Sequence, residues 1–391
     1  MAALRILIVH NRYQQAGGED SVCAAEIALL REGGHDVHTL FFDNSAIQGT
    51  VAAARAALFT PYNPQSRRRV ENALDAVRPD VVHVHNWFPV ASPSIFHACS
   101  ARGVATVWTL HNFRLTCVNG LLFRDGRVCE ECLGKVPLAG VRHRCYRGSG
   151  AGSAVVAITD GLHRAAGTWS KINRLIALNE FARGKFVEAG LPEERLVVKP
   201  NFVADPRPYD PDAVRRGAVF VGRLSPEKGV RVLVDAWRSV DAPLTIIGTG
   251  PQEAELRALA GPNVAFAGAF GPEAVYDAVA GAAALIVPSL WYENFPMVIV
   301  EAFALGTPVI ASDCGALSHI VEGGVNGWHF ATGDAADLAR VARHAFADPA
   351  EMRRRACAAR RTYEQALSPQ RNLAMIESIY ADAIADAAAQ R

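Results

Sequence analysis

The chain has 391 residues and half of them are hydrophobic, which is enough for two domains that each bury a core. The formal net charge of +1 argues against a general nucleic-acid binder, because such proteins carry an excess of basic residues. The sequence has no apolar run of about 18 residues, as a membrane-spanning helix needs, and its first residues lack a secretory signal pattern. We therefore expect a cytoplasmic protein with reduced thiols.

The first part of the chain alternates predicted strands with predicted helices. Apolar, β-branched runs predict strands at residues 5–10, 36–42, 80–85, 104–111, 174–179 and 196–199. Helical spacing predicts helices at residues 21–32, 51–77 with a break near 61–64, and 153–169. This alternation is typical of a doubly wound parallel sheet, in which ligands bind beyond the carboxyl ends of the strands. The polar residues and glycines at those ends are Asn11, Gly17, Gly18, His85, Asn86, His111 and Asn112.

The second part repeats this organisation after a proline-rich segment. Residues 200–211 hold four prolines and are interpreted as a linker between domains. Strands are then predicted at residues 218–221, 244–247, 264–267, 285–287 and 309–311, with a short one at 327–330. Residues 369–391 form an alanine-rich helical pattern. The sequence thus predicts an α/β protein with two doubly wound domains, near residues 1–200 and 212–365.

Residues 291–302 follow a buried strand and carry two glutamates, Glu293 and Glu301. Pro296 suits the first turn of a helix, whose start offers unpaired N–H groups and a positive dipole end to a diphosphate. A carboxylate in the loop can accept hydrogen bonds from sugar hydroxyls, and one further into the helix can accept them from a ribose.

A second loop, residues 219–229, places cations at a strand end. The strand ends near Gly222, and Ser225-Pro226 predicts that a helix starts there. Arg223 and Lys228 flank the loop, and two cations beside a helix start suit a diphosphate. The alternative is two surface cations near a turn.

These two loops and the segment 306–312 resemble the nucleotide-sugar site of retaining glycosyltransferases of the family 4 (group 1) type. The family's signature is two glutamates with seven residues between them, as Glu293 and Glu301 have. The resemblance implies the GT-B fold, in which two Rossmann-like domains face across a cleft and the last helix, here 366–391, returns to the first domain. It assigns the acceptor to the first domain and the nucleotide sugar to the second.

The resemblance also implies roles for individual residues. Glu293 and the segment 294–297 would hold the sugar, Glu301 the ribose, and His111 would reach the donor sugar, although a structural histidine is the alternative. Residues 246–251 match the family's base-pocket loop. The implied catalytic residues are Glu293, Arg223, Lys228 and His111, and the implied binding residues are Gly17, Gly18, Asn294, Phe295, Pro296, Met297, Glu301, Gly248 and Gly250. An ordinary turn is the alternative for Gly17 and Gly18.

Residues 113–150 are interpreted as a cysteine-rich, basic insertion in the first domain. Its four cysteines, spaced C-x11-C-x2-C-x12-C, are Cys117, Cys129, Cys132 and Cys145. A structural zinc, free thiols and disulfides all remain open for them. The basic residues of the insertion suit an anionic acceptor such as a lipid diphosphate-linked sugar, or the inner membrane surface. A solvated basic loop is the alternative.

The expected function is retaining transfer of a sugar from a nucleotide diphosphate sugar to a hydroxyl of a glycan or lipid-linked acceptor, in cell-surface polysaccharide assembly. The family's route has the leaving diphosphate help to take the acceptor proton, and it implies neither a cofactor nor a catalytic metal. The alternatives are a GT-B nucleotide-sugar epimerase or hydrolase, and a non-catalytic module that binds sugar nucleotides. The donor sugar, base, acceptor and oligomeric state do not follow from the sequence.

Overall fold

A computed structural model describes residues 2–14, 17–45 and 47–390, which divide into two compact units. The first unit comprises the residues up to Leu122, Glu130–Pro200 and the residues from Asn372 onward. The second unit comprises Phe123–Cys129 and Asn201–Arg371. Gln15 and Ala16, which precede the glycines of the first predicted loop, lie outside the described residues.

The first unit contains a parallel six-stranded sheet. The strands in the first half of the chain are β1 (Arg5–Arg12), β2 (Asp36–Asp43), β3 (Val81–Asn86), β4 (Ala105–Thr109), β5 (Phe123–Arg124), β6 (Arg127–Val128), β7 (Arg174–Ala177) and β8 (Leu196–Val198). The sheet has the order β2-β1-β3-β4-β7-β8, and β5 pairs with β6 in a separate hairpin. The strand order reverses direction between β1 and β3, so the carboxyl ends of these two strands form a topological switch point.

Helices cover this sheet, and several differ from the predicted ones. They are α1 (Gly18–Glu32), α2 (Gly49–Phe59), α3 (Pro64–Val77), α4 (Ser94–Ala101), α5 (Leu138–Arg142), α6 (Gly150–Ala165) and α7 (Glu180–Glu188). α1 begins three residues before the predicted start, because Gly17 rather than a later residue is the N-cap. The segment interpreted as an insertion, residues 113–150, holds the β5–β6 hairpin and α5.

The second unit is built on another parallel six-stranded sheet. Its strands are β9 (Ala218–Val221), β10 (Leu244–Ile247), β11 (Val264–Gly268), β12 (Ala284–Val287), β13 (Val309–Ser312) and β14 (Gly327–Phe330). Each lies within one residue of its predicted bounds. The order β11-β10-β9-β12-β13-β14 is that of the dinucleotide-binding fold, with its switch point between β9 and β12.

The helices of the second unit are α8 (Val230–Trp237), α9 (Glu253–Leu259), α10 (Pro272–Gly281), α11 (Met297–Ala304), α12 (Leu317–Ile320), α13 (Ala335–Ala347) and α14 (Pro349–Thr362). The predicted start at Ser225-Pro226 is confirmed, with Ser225 as the N-cap and Pro226 at the first position, but only for a 3-10 turn. This turn spans Pro226–Lys228, and Gly229 then adopts a φ of 66° before α8 begins. A Cβ on Gly229 would lie 1.9 Å from the Pro288 carbonyl oxygen, so a close approach of two loops sets this turn.

The last helix, α15 (Pro369–Ala389), returns to the first unit as predicted. Ile376, Tyr380 and Ala383 are fully buried in the same core cluster as Ile6 and Ile8 of β1. The apolar face of the helix therefore completes the core on one side of the first sheet. Among the described residues, none of the helices is both long and apolar enough to span a bilayer.

Candidate functional site

The switch point of the second sheet brings two loops together. The loop after β9 carries Lys228, the loop after β12 carries Glu293, and the Lys228 Nζ lies 2.7 Å from Glu293 Oε1. The Ser289 hydroxyl donates to the same carboxylate oxygen, also at 2.7 Å. The two charged residues that the sequence pattern placed in one site therefore form an ion pair at the position where this fold binds ligands.

The two partners of this ion pair differ in exposure. Glu293 is only 5% exposed, and a buried carboxylate is tolerated when it is paired and hydrogen-bonded. The Lys228 side chain is 26% exposed, and its ammonium lies 5.4 Å from the centroid of the Trp291 ring. An ammonium has three N–H donors, so Lys228 can bind an anion while it neutralises Glu293.

Helix α11 contributes its amino-terminal end and a second carboxylate. Pro296 is its N-cap, one residue before the predicted position, and no side chain caps the helix start. Glu301 is the fifth residue of the helix and is half-buried. Burial raises the pKa of Glu301, and burial together with the Glu301 charge raises the pKa of Tyr276. A carboxylate in this setting is stabilised by hydroxyl donors from a ligand.

Arg223 lies two residues beyond β9 with an exposed side chain. It makes no ion pair with any residue that the structure describes, so its guanidinium is open to an anionic ligand.

The glycines predicted for the base pocket, Gly248 and Gly250, follow β10. Gly248 has a φ of 134°, and a Cβ on it would lie 1.9 Å from the Gly222 carbonyl oxygen. A Cβ on Gly250 would lie 2.4 Å from the Leu224 carbonyl oxygen. The loop after β10 thus packs directly on the loop after β9. This packing alone explains why both positions are glycine, whether or not a ligand binds there.

The first unit has a small pocket at the carboxyl ends of β3 and β4, here named the His111 pocket. Among the residues that line it are Glu19, His85, His111, Asn112 and Arg114. His111 lies two residues beyond β4, and its imidazole stacks on that of His85 with ring centroids 5.2 Å apart. The pocket combines a carboxylate, imidazoles and a guanidinium, which can donate to and accept from hydroxyl groups.

Glu19, at the start of α1, has an unusual protonation equilibrium. Its carboxylate accepts a hydrogen bond from the Tyr13 hydroxyl at 2.7 Å. Burial raises the pKa of Glu19 to about 7, even though the Tyr13 hydrogen bond and the Arg114 charge oppose the shift. A carboxyl group with a pKa near neutrality in a pocket is a candidate for proton or hydroxyl binding.

Asp20, the carboxylate next to Glu19, is engaged within the protein. It accepts from the Gly17 backbone N–H at 2.9 Å and lies 2.8 Å from His10 Nε2. The Gly17 amide is thereby directed to Asp20, while a Cβ at Gly17 or Gly18 would meet no atom within 4 Å. Both glycines therefore leave open space, and their contact with a phosphate stays a prediction.

The zinc site predicted for the four cysteines of the insertion stays a prediction. The first unit includes Cys117, Cys132 and Cys145, and the second unit includes Cys129. In the described part of the chain, the potential ligand group whose atoms lie within 4.8 Å of one another contains no cysteine. The zinc hypothesis therefore has no support from the geometry.

Sequence reasoning missed residues that hold the site in place. Ser289, which orients Glu293, had no pattern to mark it because its partner lies four residues along an irregular loop. Glu26 and Lys199, which form a buried ion pair under the His111 pocket, did leave a signal. Glu26 lies on the buried face of α1, and Lys199 directly follows an apolar strand, where charged side chains are unusual.

Comparison with known families matches both parts of the chain. Residues 16–206 match the model described as "Glycosyltransferase Family 4", and residues 215–348 match "Glycosyl transferases group 1". The second range contains the Lys228–Glu293 pair and α11, and the first contains the His111 pocket.

Individual relatives agree with these matches. A phosphatidyl-myo-inositol mannosyltransferase of Mycobacterium leprae is 32% identical over 43% of this chain, and the chain spans about half (48%) of that relative. A glycogen synthase of Mycobacterium tuberculosis is 28% identical over 83% of this chain and 73% of its own length. Anabaena HepE, solved in complex with UDP, superposes with a TM-score of 0.67 at 18% identity, covering 96% of this chain and 99% of HepE, which supports the fold.

The packing of the loops at the second switch point predicts the effect of a Gly248→Ala substitution. We expect the free energy of unfolding to fall by about 2 kcal/mol or more, because the added Cβ meets the Gly222 carbonyl and the left-handed φ strains alanine. Urea unfolding measures this loss. The control is Gly281→Ala, where a Cβ meets nothing within 4 Å and a change within about 0.5 kcal/mol is expected. Equal stability of the two variants would contradict the described loop packing.

Proposed function

Since the chain is of the GT-B family 4 type, we propose that it transfers a sugar from a nucleoside diphosphate sugar to an acceptor hydroxyl with retention of anomeric configuration. The observation that carries the proposal is the Lys228–Glu293 ion pair at the β9/β12 switch point. It provides an anion-binding cation beside a buried carboxylate, and a sugar nucleotide presents an anion beside hydroxyl donors.

Each group of the donor has a partner in this proposal. Lys228, Arg223 and the amino-terminal end of α11 bind the diphosphate. Glu293 and the backbone of residues 294–297 bind the sugar, and Glu301 accepts hydrogen bonds from the ribose hydroxyls. Burial raises the pKa of Glu301, and the ribose hydroxyls would supply the donors that stabilise its charged form. Gly248 and Gly250 shape the loop beside the base.

The proposed reaction takes place on one face of the sugar. The bond between the anomeric carbon and the diphosphate breaks, the acceptor oxygen bonds to the same face, and its proton passes to the leaving diphosphate. Negative charge develops on the diphosphate, where Lys228, Arg223 and the dipole of α11 stabilise it. These positive groups take the part that a metal ion has in other sugar transfers, so we propose a reaction without a catalytic metal.

A second cavity of the first unit supports an amphiphilic acceptor. It has a volume of about 660 Å³ and is lined by apolar side chains that include Ile47, Phe88, Leu121 and Val156. Arg114, whose guanidinium lies 4.3 Å from the centroid of the Phe88 ring, lines this cavity and the His111 pocket. Its Nη1 is buried without a hydrogen-bond partner among the described residues.

An apolar cavity beside an unsatisfied guanidinium suits an acceptor with a phosphate and an apolar chain. We therefore propose a lipid-linked acceptor, with peripheral contact of the protein with the inner membrane surface. This acceptor class fits the assembly of a cell-surface polysaccharide.

The donor proposal is tested with Lys228→Met. We expect affinity for UDP, GDP or ADP, whichever the wild type binds, to fall at least about tenfold, because a charged hydrogen bond contributes about 1.5–3 kcal/mol. Isothermal titration calorimetry measures the dissociation constants. The control is Arg238→Ala, which removes an exposed cation of the same unit and leaves affinity unchanged. If the wild type binds none of the three nucleotides, the proposed donor class is rejected. If the Lys228→Met variant binds as well as the wild type, the donor site lies elsewhere.

The stereochemical proposal is tested with the donor that binds. We expect the new glycosidic bond to keep the anomeric configuration of the donor, because attack and departure occur on one face. Proton NMR of the product, recorded before the anomers equilibrate, reports the configuration. Inversion would reject the one-face route. Sugar release without transfer to any hydroxyl acceptor would favour a hydrolase.

Glu19 predicts a pH dependence of transfer. At saturating donor, the rate falls as the pH drops below about 7, because protonated Glu19 loses its charge and accepts a weaker hydrogen bond from the acceptor hydroxyl. In the pH–rate profile, the Glu19→Gln variant loses this step near pH 7 and has a lower maximal rate. The exposed control, Glu194→Gln, keeps the step. An unchanged step in Glu19→Gln would assign the titration to another group.

The same group gives a readout that needs no substrate. Because folding raises the pKa of Glu19 from 4.5 to about 7, the folded state binds its proton more tightly than the unfolded state. Wild-type stability therefore declines relative to Glu19→Gln as the pH rises through that interval, which urea unfolding at several pH values measures.

A further inference from the structure

Behind the His111 pocket lies a buried group of titratable side chains that the proposed reaction does not use. Glu26 comes from α1, His83 and His85 from one face of β3, and Lys199 follows β8. Their exposed fractions are 1%, 0%, 2% and 1%, respectively. Charged and polar groups are costly to bury, so an arrangement of this kind calls for a role beyond packing.

Glu26 is held as a carboxylate. Its Oε2 accepts from the Lys199 ammonium at 2.8 Å, and its Oε1 lies 3.0 Å from His83 Nδ1. Burial alone would raise the pKa of Glu26, but Lys199 and His83 outweigh it, and the pKa lies well below the ordinary value. The Glu26, His83 and His85 atoms could ligate a metal, but the Lys199 ammonium already provides the positive charge. Glu26 can therefore only accept hydrogen bonds.

This carboxylate decides which nitrogen of His85 carries the proton. His85 Nε2 lies 3.3 Å from Glu26 Oε1 without the geometry of a hydrogen bond, so the charge of the carboxylate favours an N–H at Nε2 and disfavours a lone pair there. Burial and the neighbouring His83 lower the pKa of His85 to about 4, so the ring is neutral and has one N–H. With that proton on Nε2, Nδ1 of His85 is a lone-pair acceptor.

The same reasoning extends to His111. His85 Nδ1 lies 3.0 Å from His111 Nε2, and since Nδ1 can only accept, His111 Nε2 must donate. Burial and the adjacent His85 place the pKa of His111 well below its ordinary value, so this ring is also neutral. The nitrogen left over, Nδ1 of His111, is an acceptor without a proton.

We propose that Glu26, neutralised by Lys199, acts through His85 as a positioning residue that fixes His111 in the Nε2–H tautomer, with Nδ1 as a hydrogen-bond acceptor. The His111 pocket then offers hydroxyl groups two acceptors, His111 Nδ1 and the Glu19 carboxylate, beside the Arg114 guanidinium, which is a donor. This reading of the ligand rests on the proposed function, whereas the tautomer does not.

The tautomer is measured without substrate by long-range 1H–15N correlation NMR of the full chain labelled at histidine. His111→Gln and His85→Gln spectra assign the two rings by the signals they lose. We expect both rings to show a protonated Nε2 and an unprotonated Nδ1, and to stay neutral between about pH 5.5 and about pH 8. A protonated Nδ1 on His111, or an imidazolium at neutral pH, would overturn the proposal.

The double variant Glu26→Gln/Lys199→Met tests the cause, because it removes both buried charges and leaves no unpaired ion. The side-chain amide that Glu26→Gln introduces can donate to His85 Nε2 as well as accept from it, so the tautomer is no longer fixed and we expect both rings to populate the Nδ1–H form. The transfer rate should then fall with donor affinity unchanged, because His111 in that form would present a donor to a hydroxyl. An unswitched tautomer in the folded variant would refute the role of Glu26.

The double variant is compared with a control variant, Glu377→Gln, and with the wild type. Glu377→Gln changes a carboxylate of α15 that pairs with His35 in the same unit, and it should leave His111 unchanged. If the double variant does not fold, the wild-type tautomer alone decides the proposal. A switched tautomer in a protein without transferase activity would uphold the positioning role and reject the proposed function.

Discussion

A buried carboxylate must be neutralised where it lies, and this requirement shapes both units. In the first unit Glu26 is paired with Lys199 at 2.8 Å, across 173 residues of sequence. In the second unit Glu293 is paired with Lys228 at 2.7 Å, across 65 residues. Removal of one partner from such a pair typically costs about 3–5 kcal/mol, so each pair fixes distant segments of chain against one another.

The two pairs differ in what the lysine can still do. The Lys199 side chain is 2% exposed and also donates to Asn372 on α15, so its N–H groups serve the protein interior. The Lys228 side chain is 26% exposed and faces the loop of Trp291. The first pair is therefore a closed structural device that acts on neighbouring histidines, whereas the second keeps a cation accessible to an anionic ligand.

The sequence predicted what depends on local pattern. Strands such as β9 and β10 were located to the residue, because a strand buried on both faces of a parallel sheet is a continuous apolar run. The pairing of Lys228 with Glu293 agrees with the predicted site. The helix that starts at Pro226 is only one 3-10 turn long, because the close approach of Gly229 to the distant Pro288 sets the chain direction there.

The buried group behind the His111 pocket is formed by contacts between residues that are distant in sequence. No spacing rule connects Glu26 on α1 with His85 on β3 or with Lys199 after β8, and only the sheet order β1-β3 brings α1 over these strands. Cysteine spacing likewise does not by itself bring ligands together, so the zinc hypothesis stays a prediction.

The two units differ in the groups that they present to a ligand. The second unit presents Lys228 and Arg223, which attract phosphate oxygens. The His111 pocket presents the Glu19 carboxylate and, by the tautomer argument, an unprotonated imidazole nitrogen, both of which accept from hydroxyls, beside the Arg114 guanidinium, which donates. Because a donor or acceptor left unpaired costs more free energy than a correct hydrogen bond contributes, the tautomer of His111 decides which ligand groups this pocket tolerates. In our proposal the buried carboxylate of Glu26 sets that tautomer through His85 and so contributes to specificity.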